Sequence, residues 1–416
     1  MSSAPTSNLL GRRLDRLRSL GPAERSPSRI ERPDHAASLA AALGGTVVSG
    51  VVIVESSVTL PVDRRALGSL PFPAGVDQPL VCLDLETTGL ATASGTLAFL
   101  VGLGTWEGDT YTVRQLLLPD HAAELRLLDV LSRILPPDAW LVTYNGRTFD
   151  WPLLVARHRM HRRVPPPLAG HLDLLTVARR LWKPRIGGAR LSLVEREICA
   201  VTRDDDLPGA LVPERYFGYL RSRGADLLRP VLDHNRQDIV SLGLLLGLLA
   251  SDYAAPATWT TLHPGDAAGL AVSLRRSGRI NDALRCTEAA IAADAWTVGF
   301  DGAARLRRHL LGERARLLAR LGRRVEAHQA WLEICARGGP GAAAAWLHVA
   351  RYREHVARDL GGALEACREA AAVADRARAW GKPMPEIERD LNHRLARLRR
   401  RSLATRRFSG AVARAA

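Results

Sequence analysis

The sequence predicts an α/β domain with a mixed sheet followed by an all-helical domain, on three observations. Short β-branched and apolar runs alternate with segments of helical period over the first part of the chain. Beyond residue 265 or so the strand-like runs stop, and Ala, Leu and Arg dominate. The chain also has 416 residues, more than the ~250–300 over which one core keeps growing.

Taken in order, residues 1–44 mix Arg, Ser, Pro and Gly with no sustained period, and are expected to form a mobile basic tail. Residues 45–75 form a β-rich lead-in, carried by TVVSGVVIVESSVTL. The α/β domain is assigned to 76–252. Its first run, LVCLDLE, is a short buried strand, and residues two apart on a strand share a face. Asp84 and Glu86 therefore project from one side, with Cys82 one pleat earlier. TLAFLVGLGTW and TYTVRQLLL, split by EGD, predict a hairpin returning beside that strand. HAAELRLLDVLSRIL has helical spacing and begins after Asp120, its expected cap. WLVTYN is a further strand, Asn145-Gly146 turns the chain, and Asp150 is the expected N-cap before Trp151-Pro152. HLDLLTVARRLW, ARLSLVEREICA, VPERYFGYLRS and PVLDHNRQDIVSLGLLLGLLAS are expected to be helical.

Residues 262–400 form the helical domain. SGRINDALRCTEAAIA, LGRRVEAHQAWLEICA and RDLGGALEACREAAAVA align so that Ala283, Ala327 and Ala363 are equivalent, with Gly278 and Gly322 five residues ahead of the first two. Their spacing straddles the ~34-residue tetratricopeptide period, so this part resembles a short tetratricopeptide-like array, with Arg358 where the third glycine would stand. Residues 401–416 are a basic tail.

The net charge of +15 suits a polyanionic partner. Lys occurs only at Lys183 and Lys382, so an Arg-rich composition accounts for the excess equally well. Cys82, Cys199, Cys286, Cys335 and Cys367 are odd in number and scattered, which is the pattern of reduced cytosolic thiols without a zinc site. Neither a signal peptide nor a stretch of transmembrane length is expected, which predicts a cytoplasmic protein without a membrane partner.

The chemistry lies in three acidic clusters: Asp84 and Glu86 in VCLDLETTGL, Asp150 in VTYNGRTFDWPLL and Asp238 in LDHNRQDIVSL. Phosphodiester hydrolysis by two divalent ions needs several carboxylates around a gap of about 4 Å. Hard ions such as Mg²⁺ or Mn²⁺ prefer oxygen ligands. A same-face D-x-E pair suits one ion and bridges to a second, with Asp150 and Asp238 closing the cage. His234 is four residues before Asp238 and shares its helix face, which suits a general base or a helix-capping residue. Thr87, Thr88 and Asn145 are candidates for substrate contact as well as for turn formation, and Arg147 for a phosphate contact. Asp173 is expected to cap a helix or support the site rather than bind metal. Asp204–Asp206 is expected to be a solvated loop.

On these residues the chain resembles the DEDD, or DnaQ-like, exonucleases of the ribonuclease H-like fold. DLETTGL, YNGRTFDWPLL and HNRQDIVSL match the three exonuclease motifs. More specifically, the chain resembles the YprB-like predicted exonucleases, which also match HLDLLTVARRLW and DDDLPGALVPERYFGYL over about 45–250. The resemblance implies a 3′-to-5′ exonuclease with two Mg²⁺ or Mn²⁺ on Asp84, Glu86, Asp150 and Asp238. It departs from the better-known subclasses in placing a His, not a Tyr, at the tyrosine-type spacing before Asp238. The expected substrate is a single-stranded DNA or RNA 3′ end, with a possible protein partner on the helical repeats. The alternative is a non-catalytic nucleic-acid-binding or scaffold protein that uses those repeats to recruit partners.

Overall fold

A computed structural model describes residues 35–71, 78–89, 95–203, 206–293, 302–339 and 341–415, with side chains described to Arg401. The first strand pair, β1 (Thr46–Val48) and β2 (Val51–Thr59), is preceded by helix α1 (His35–Leu43). Helix α2 (Arg64–Leu67) leads to β3 (Leu80–Thr87), β4 (Ala98–Glu107) and β5 (Thr110–Leu117). Then follow α3 (Glu124–Ile134), β6 (Trp140–Thr143), α4 (Asp150–Met160) and β7 (Gly170–Asp173). All seven strands join one sheet in the order β1-β2-β5-β4-β3-β6-β7. β3 pairs antiparallel with β4 and parallel with β6, and β7 runs parallel to β6, so the sheet is mixed as expected.

Alternation along β3 sorts its side chains between two cores. Cys82 packs in the core that contains Tyr111 and Ile239, while Val81, Leu83 and Leu85 pack in the other with Leu127 and Leu131 of α3. Asp84 and Glu86 stand on the Cys82 face. That face is covered by α9 (Arg229–Ala254), which comes after α5 (Leu174–Leu181), α6 (Lys183–Ile186), α7 (Leu191–Val194) and α8 (Val212–Ser222). Gly102 on β4 lies opposite Asp84, and a Cβ there would come within 2.4 Å of Asn235 Oδ1. The bare strand position lets α9 lie close enough to reach the acids.

Several expectations are corrected. Residues 35–43, placed in the tail, form α1, because Ala36, Leu39, Ala40 and Leu43 recur at helical spacing and are buried. The rest of that expected tail, 1–34, lies outside the described residues. HLD, expected to begin a helix, is the edge strand β7, and the helix starts after its cap Asp173. Only Leu191–Val194 of ARLSLVEREICA is α-helical, and Glu195–Cys199 continues as a π turn. The expected basic tail continues as helix, since α16 (Pro385–Ala415) runs through it.

The helical part consists of α10 (Pro264–Arg276), α11 (Ile280–Ala292), α12 (Ala303–Arg320), α13 (Arg324–Arg337), α14 (Ala342–His355), α15 (Leu360–Ala379) and α16. The turns of three successive hairpins hold Gly278, Gly322 and Arg358 at φ values of 83°, 77° and 58°. The arginine adopts the left-handed conformation that the two glycines take without strain. Ala283, Ala327 and Ala363 are buried at equivalent places in the second helix of each hairpin. The array is joined to the α/β domain through α10 and α5: Gly269 lies so close to Leu181 that a Cβ would be 2.6 Å from its Cα. Arg185 pairs with Asp266 at 2.9 Å across the same seam. At the far end, Glu354 of α14 is fully buried among Arg394, Arg397 and Arg401 of α16. No described helix is long and apolar enough to cross a membrane.

Candidate active site

The predicted acids come from separate elements and meet at the carboxyl ends of the parallel strands, where open α/β sheets commonly place their sites. Asp84 and Glu86 leave the end of β3, where a register shift between Glu86 and Thr87 interrupts the pairing with β4. Asp150 follows β6, and Asp238 lies in the third turn of α9. Their convergence appears in the electrostatics. Burial first, and then Asp238, Glu86 and Asp150 in turn, raise the Asp84 carboxyl well above its ordinary range. Burial with Asp238, Asp150 and Asp206 pushes Glu86 up to about 8. Burial with Asp173 and Asp238 pushes Asp150 up to about 7. Buried or half-buried acids, three of them raised by Asp238, are a poor arrangement without a cation, and the all-oxygen donor set fits a hard divalent ion. Among the described residues, no three Asp, Glu, His or Cys side chains already form a closed metal cage.

Asp150 is the first residue of α4, not its N-cap: that position belongs to Phe149, which makes no capping bond. The carboxylate is thereby left free to face the other acids from the positive end of the helix. Gly146 makes room for it, since a Cβ there would lie 2.7 Å from Asp150 Oδ2. Asp173 caps α5 through Leu175 N and also accepts from the amides of Asn145 (2.8 Å) and Arg147 (3.2 Å). It thus holds the turn that presents Asp150, as a supporting acid.

His234 lies among the acids. Its Nε2 is 3.9 Å from both Glu86 and Asp238, and its Nδ1 is 2.6 Å from Asp206. Asp206, expected to be solvated, therefore has a definite partner. Burial works against its charge, but the His234 hydrogen bond and Arg203 outweigh this and hold its carboxyl below the usual range. Asp204 and Asp205 lie outside the described residues.

The turn residues have local partners. Thr87 Oγ1 donates to Gly89 O at 2.7 Å, and Thr88 Oγ1 accepts from Leu97 N at 3.1 Å. Asn145 has φ 71° and its Oδ1 accepts from Thr148. His171 bonds Thr143 at 2.9 Å, and burial pushes it down to about 4.

Three site residues escaped sequence reasoning. Asn235, fully buried, donates to Asp84 Oδ2 at 2.9 Å and accepts from Gln115 at 3.0 Å. Its place in HNRQD, one residue after His234, was the available signal. Arg203 bonds Asp238, and also grips the fully buried Glu195 through two nitrogens at 2.6 and 2.7 Å. Nothing in the sequence ties Arg203 or Glu195 to the acidic motifs, because their loop-to-helix pairing is tertiary.

The raised acids make a stability prediction. Groups whose folded pKa lies above the unfolded one bind extra protons in the native state, so stability is lost as pH rises through the folded values. His171 and His348, both pushed down to about 4, act oppositely below their unfolded value near 6.5. Between pH 6.5 and 9, in EDTA, the thermal midpoint is expected to fall as pH rises, because Glu86 and Asp150 ionise in that range. Mn²⁺ at about 100 times its dissociation constant returns about 2.7 kcal/mol. A midpoint indifferent to both pH and Mn²⁺ would contradict the convergence of these acids.

Residues 81–250 match a family model described as RNase_H superfamily, which covers less than half of the chain. A relative described as "Uncharacterized protein YprB", from Bacillus subtilis (strain 168), is 43% identical over 166 residues, which are 39% of this chain and 40% of that protein. The chain thus spans about two fifths of that relative's length. The matched span runs from β3 to the later turns of α9 and contains all four acids, and its mixed sheet is consistent with an RNase H-like fold.

Proposed function

We propose that the protein is a metal-dependent 3′-to-5′ exonuclease of the DEDD type, acting on single-stranded nucleic-acid ends. The observation that carries this reading is the convergence of four acids drawn from β3, α4 and α9, in which burial and the nearby Asp238 raise Asp84, Glu86 and Asp150 together. Those four residues would hold two Mg²⁺ or Mn²⁺, which when bound activate water and offset charge on the leaving oxygen. Asn235, anchored by Gln115, orients Asp84. Arg203 balances Asp238 from the side of Glu195. Asp206, by accepting from Nδ1–H of His234, leaves Nε2 with a free lone pair toward the acids, the tautomer that a general base requires. Thr87, Thr88, Asn145 and Arg147 are read as contacts to the terminal nucleotide. The helical hairpins are read as tetratricopeptide-like and as the surface for a further partner.

The test is incubation of purified protein with Mn²⁺ and labelled linear oligonucleotides of DNA and RNA. Stepwise shortening from the 3′ end supports the enzyme, whereas binding without shortening supports a scaffold. Cutting of a circular strand would show an endonuclease. On the same substrate, His234→Ala is expected to slow turnover about 10²–10⁴-fold. Asp206→Asn is expected to reproduce part of that loss and to displace the rate's pH profile. An unchanged profile in Asp206→Asn would remove the tautomer argument.

A further inference from the structure

The groove between α13 and α14 has a chemistry of its own, with a volume of about 400 Å³. Two ring pairs cross it as successive rungs. Trp331 of α13 stacks on His348 of α14 at 4.1 Å and 5°, and one turn away His328 stacks on Tyr352 at 4.1 Å and 13°. Arg324 and Arg351 stand exposed at its edge, and none of the residues lining it is acidic. Several neighbouring arginines are committed: Arg323 to Glu326, Arg314 to Glu288 and Arg353 to Glu365. Arg324 and Arg351 have no carboxylate partner among the described residues. The Nδ1 of His328 is buried and lacks a hydrogen-bond partner among them.

Ring stacking alone would suffice to pack two helices. Packing does not account for two uncommitted guanidinium groups beside a bare buried ring nitrogen, since buried polar atoms are normally paired. Flat ring surfaces bordered by cations are the recognition chemistry of single-stranded nucleic acid, in which bases stack and phosphates meet arginine. The volume lies in the range of small-molecule sites, enough for a short stretch of strand. Trp331 is buried in the core, so a base would reach the half-buried outer surfaces of His328, His348 and Tyr352, on which an acidic peptide has nothing flat to lay.

We propose that this groove is a binding site for single-stranded nucleic acid, separate from the acids and holding the strand whose end they trim. It rests on the reading that this chain handles such a strand. The full chain carrying Asp84→Asn, in EDTA, is titrated against a fluorescein-labelled oligothymidylate and oligouridylate by anisotropy. Arg324→Glu with Arg351→Glu is expected to weaken binding at least tenfold and to lower the slope of log affinity against log salt by about 1.4, at ~0.7 per phosphate contact. Arg324→Lys with Arg351→Lys retains most of the affinity, and circular dichroism verifies that both pairs fold. Unchanged oligonucleotide affinity in the glutamate pair overturns the proposal, as does tighter binding of a hexaglutamate peptide than of either oligonucleotide. Trimming by the unsubstituted chain with Mn²⁺ is scored separately. Groove-dependent binding without trimming would leave this site standing and remove the exonuclease, and the reverse result would do the opposite.

Discussion

Asp84→Asn is expected to lower the rate of oligonucleotide shortening by about a thousandfold, while leaving the fold intact. The substitution keeps the shape of the side chain and removes the charge that three other acids surround. Losing a cation's contribution of several kcal/mol, taken as about 4, corresponds to that factor. The same change relieves repulsion among buried acids, so the melting temperature in EDTA is expected to rise above that of the unsubstituted chain at pH 8. Mn²⁺ should then stabilise the variant less. The pair of measurements discriminates: a rate loss accompanied by lower stability in EDTA would mean that Asp84 is structural, and full activity would remove it from the site.

The second large effect lies far along the chain. Glu354→Leu is expected to cost about 3 kcal/mol, the lower end of what breaking a buried ion pair removes. Glu354 is completely buried, and its oxygens meet Arg397 at 2.6 Å, Arg401 at 2.7 Å and Arg394 at 3.4 Å. Despite its burial, Arg397, His355 and Arg401 hold its carboxyl below the usual range. Without it, Arg394, itself buried, faces an apolar side chain. Urea denaturation followed by far-ultraviolet circular dichroism measures the loss, and an unaltered midpoint would show that α16 is held by its apolar contacts alone.

How much of this was legible in the sequence depends on the range of each interaction. Asp84 and Glu86 could be placed on one face because strand alternation is local, and the cores on either side of β3 follow that alternation. The β4–β5 hairpin was legible for the same reason, with its turn written in EGD. Gly278 and Gly322 marked helical turns because a left-handed residue favours glycine, and Arg358 was placed by alignment with them. Asp150 was assigned to the right helix end but to the wrong position, since only packing decides whether an acid caps or faces inward. Residues 35–43 escaped because Ala37, Ala41 and Ala42 on the exposed face blur the helical spacing of Ala36, Leu39, Ala40 and Leu43 in so short a helix. HLD escaped because an edge strand of a few residues gives little alternation. Arg203, Glu195 and the partner of Asp206 were beyond reach: their pairing requires a loop to fold back onto α9, and no spacing rule records that.

The 26 residues of α9, about 39 Å at 1.5 Å per residue, have one further consequence. Their early turns carry His234, Asn235 and Asp238, and their last turn carries Tyr253, whose hydroxyl reaches Ser273 of α10 at 2.5 Å and whose carbonyl accepts from Arg279 at 3.2 Å. The helix packs against both halves and is tied to the second by these two bonds before the chain turns at Pro256–Thr258 into α10. Leu245, Leu246 and Leu249 lie in the core shared with the hairpins, so a fragment severed after Ala254 would shed part of that cover into water. The bearing of the first hairpin toward the acids is therefore set by contacts of α9 itself, and it is established as the chain folds.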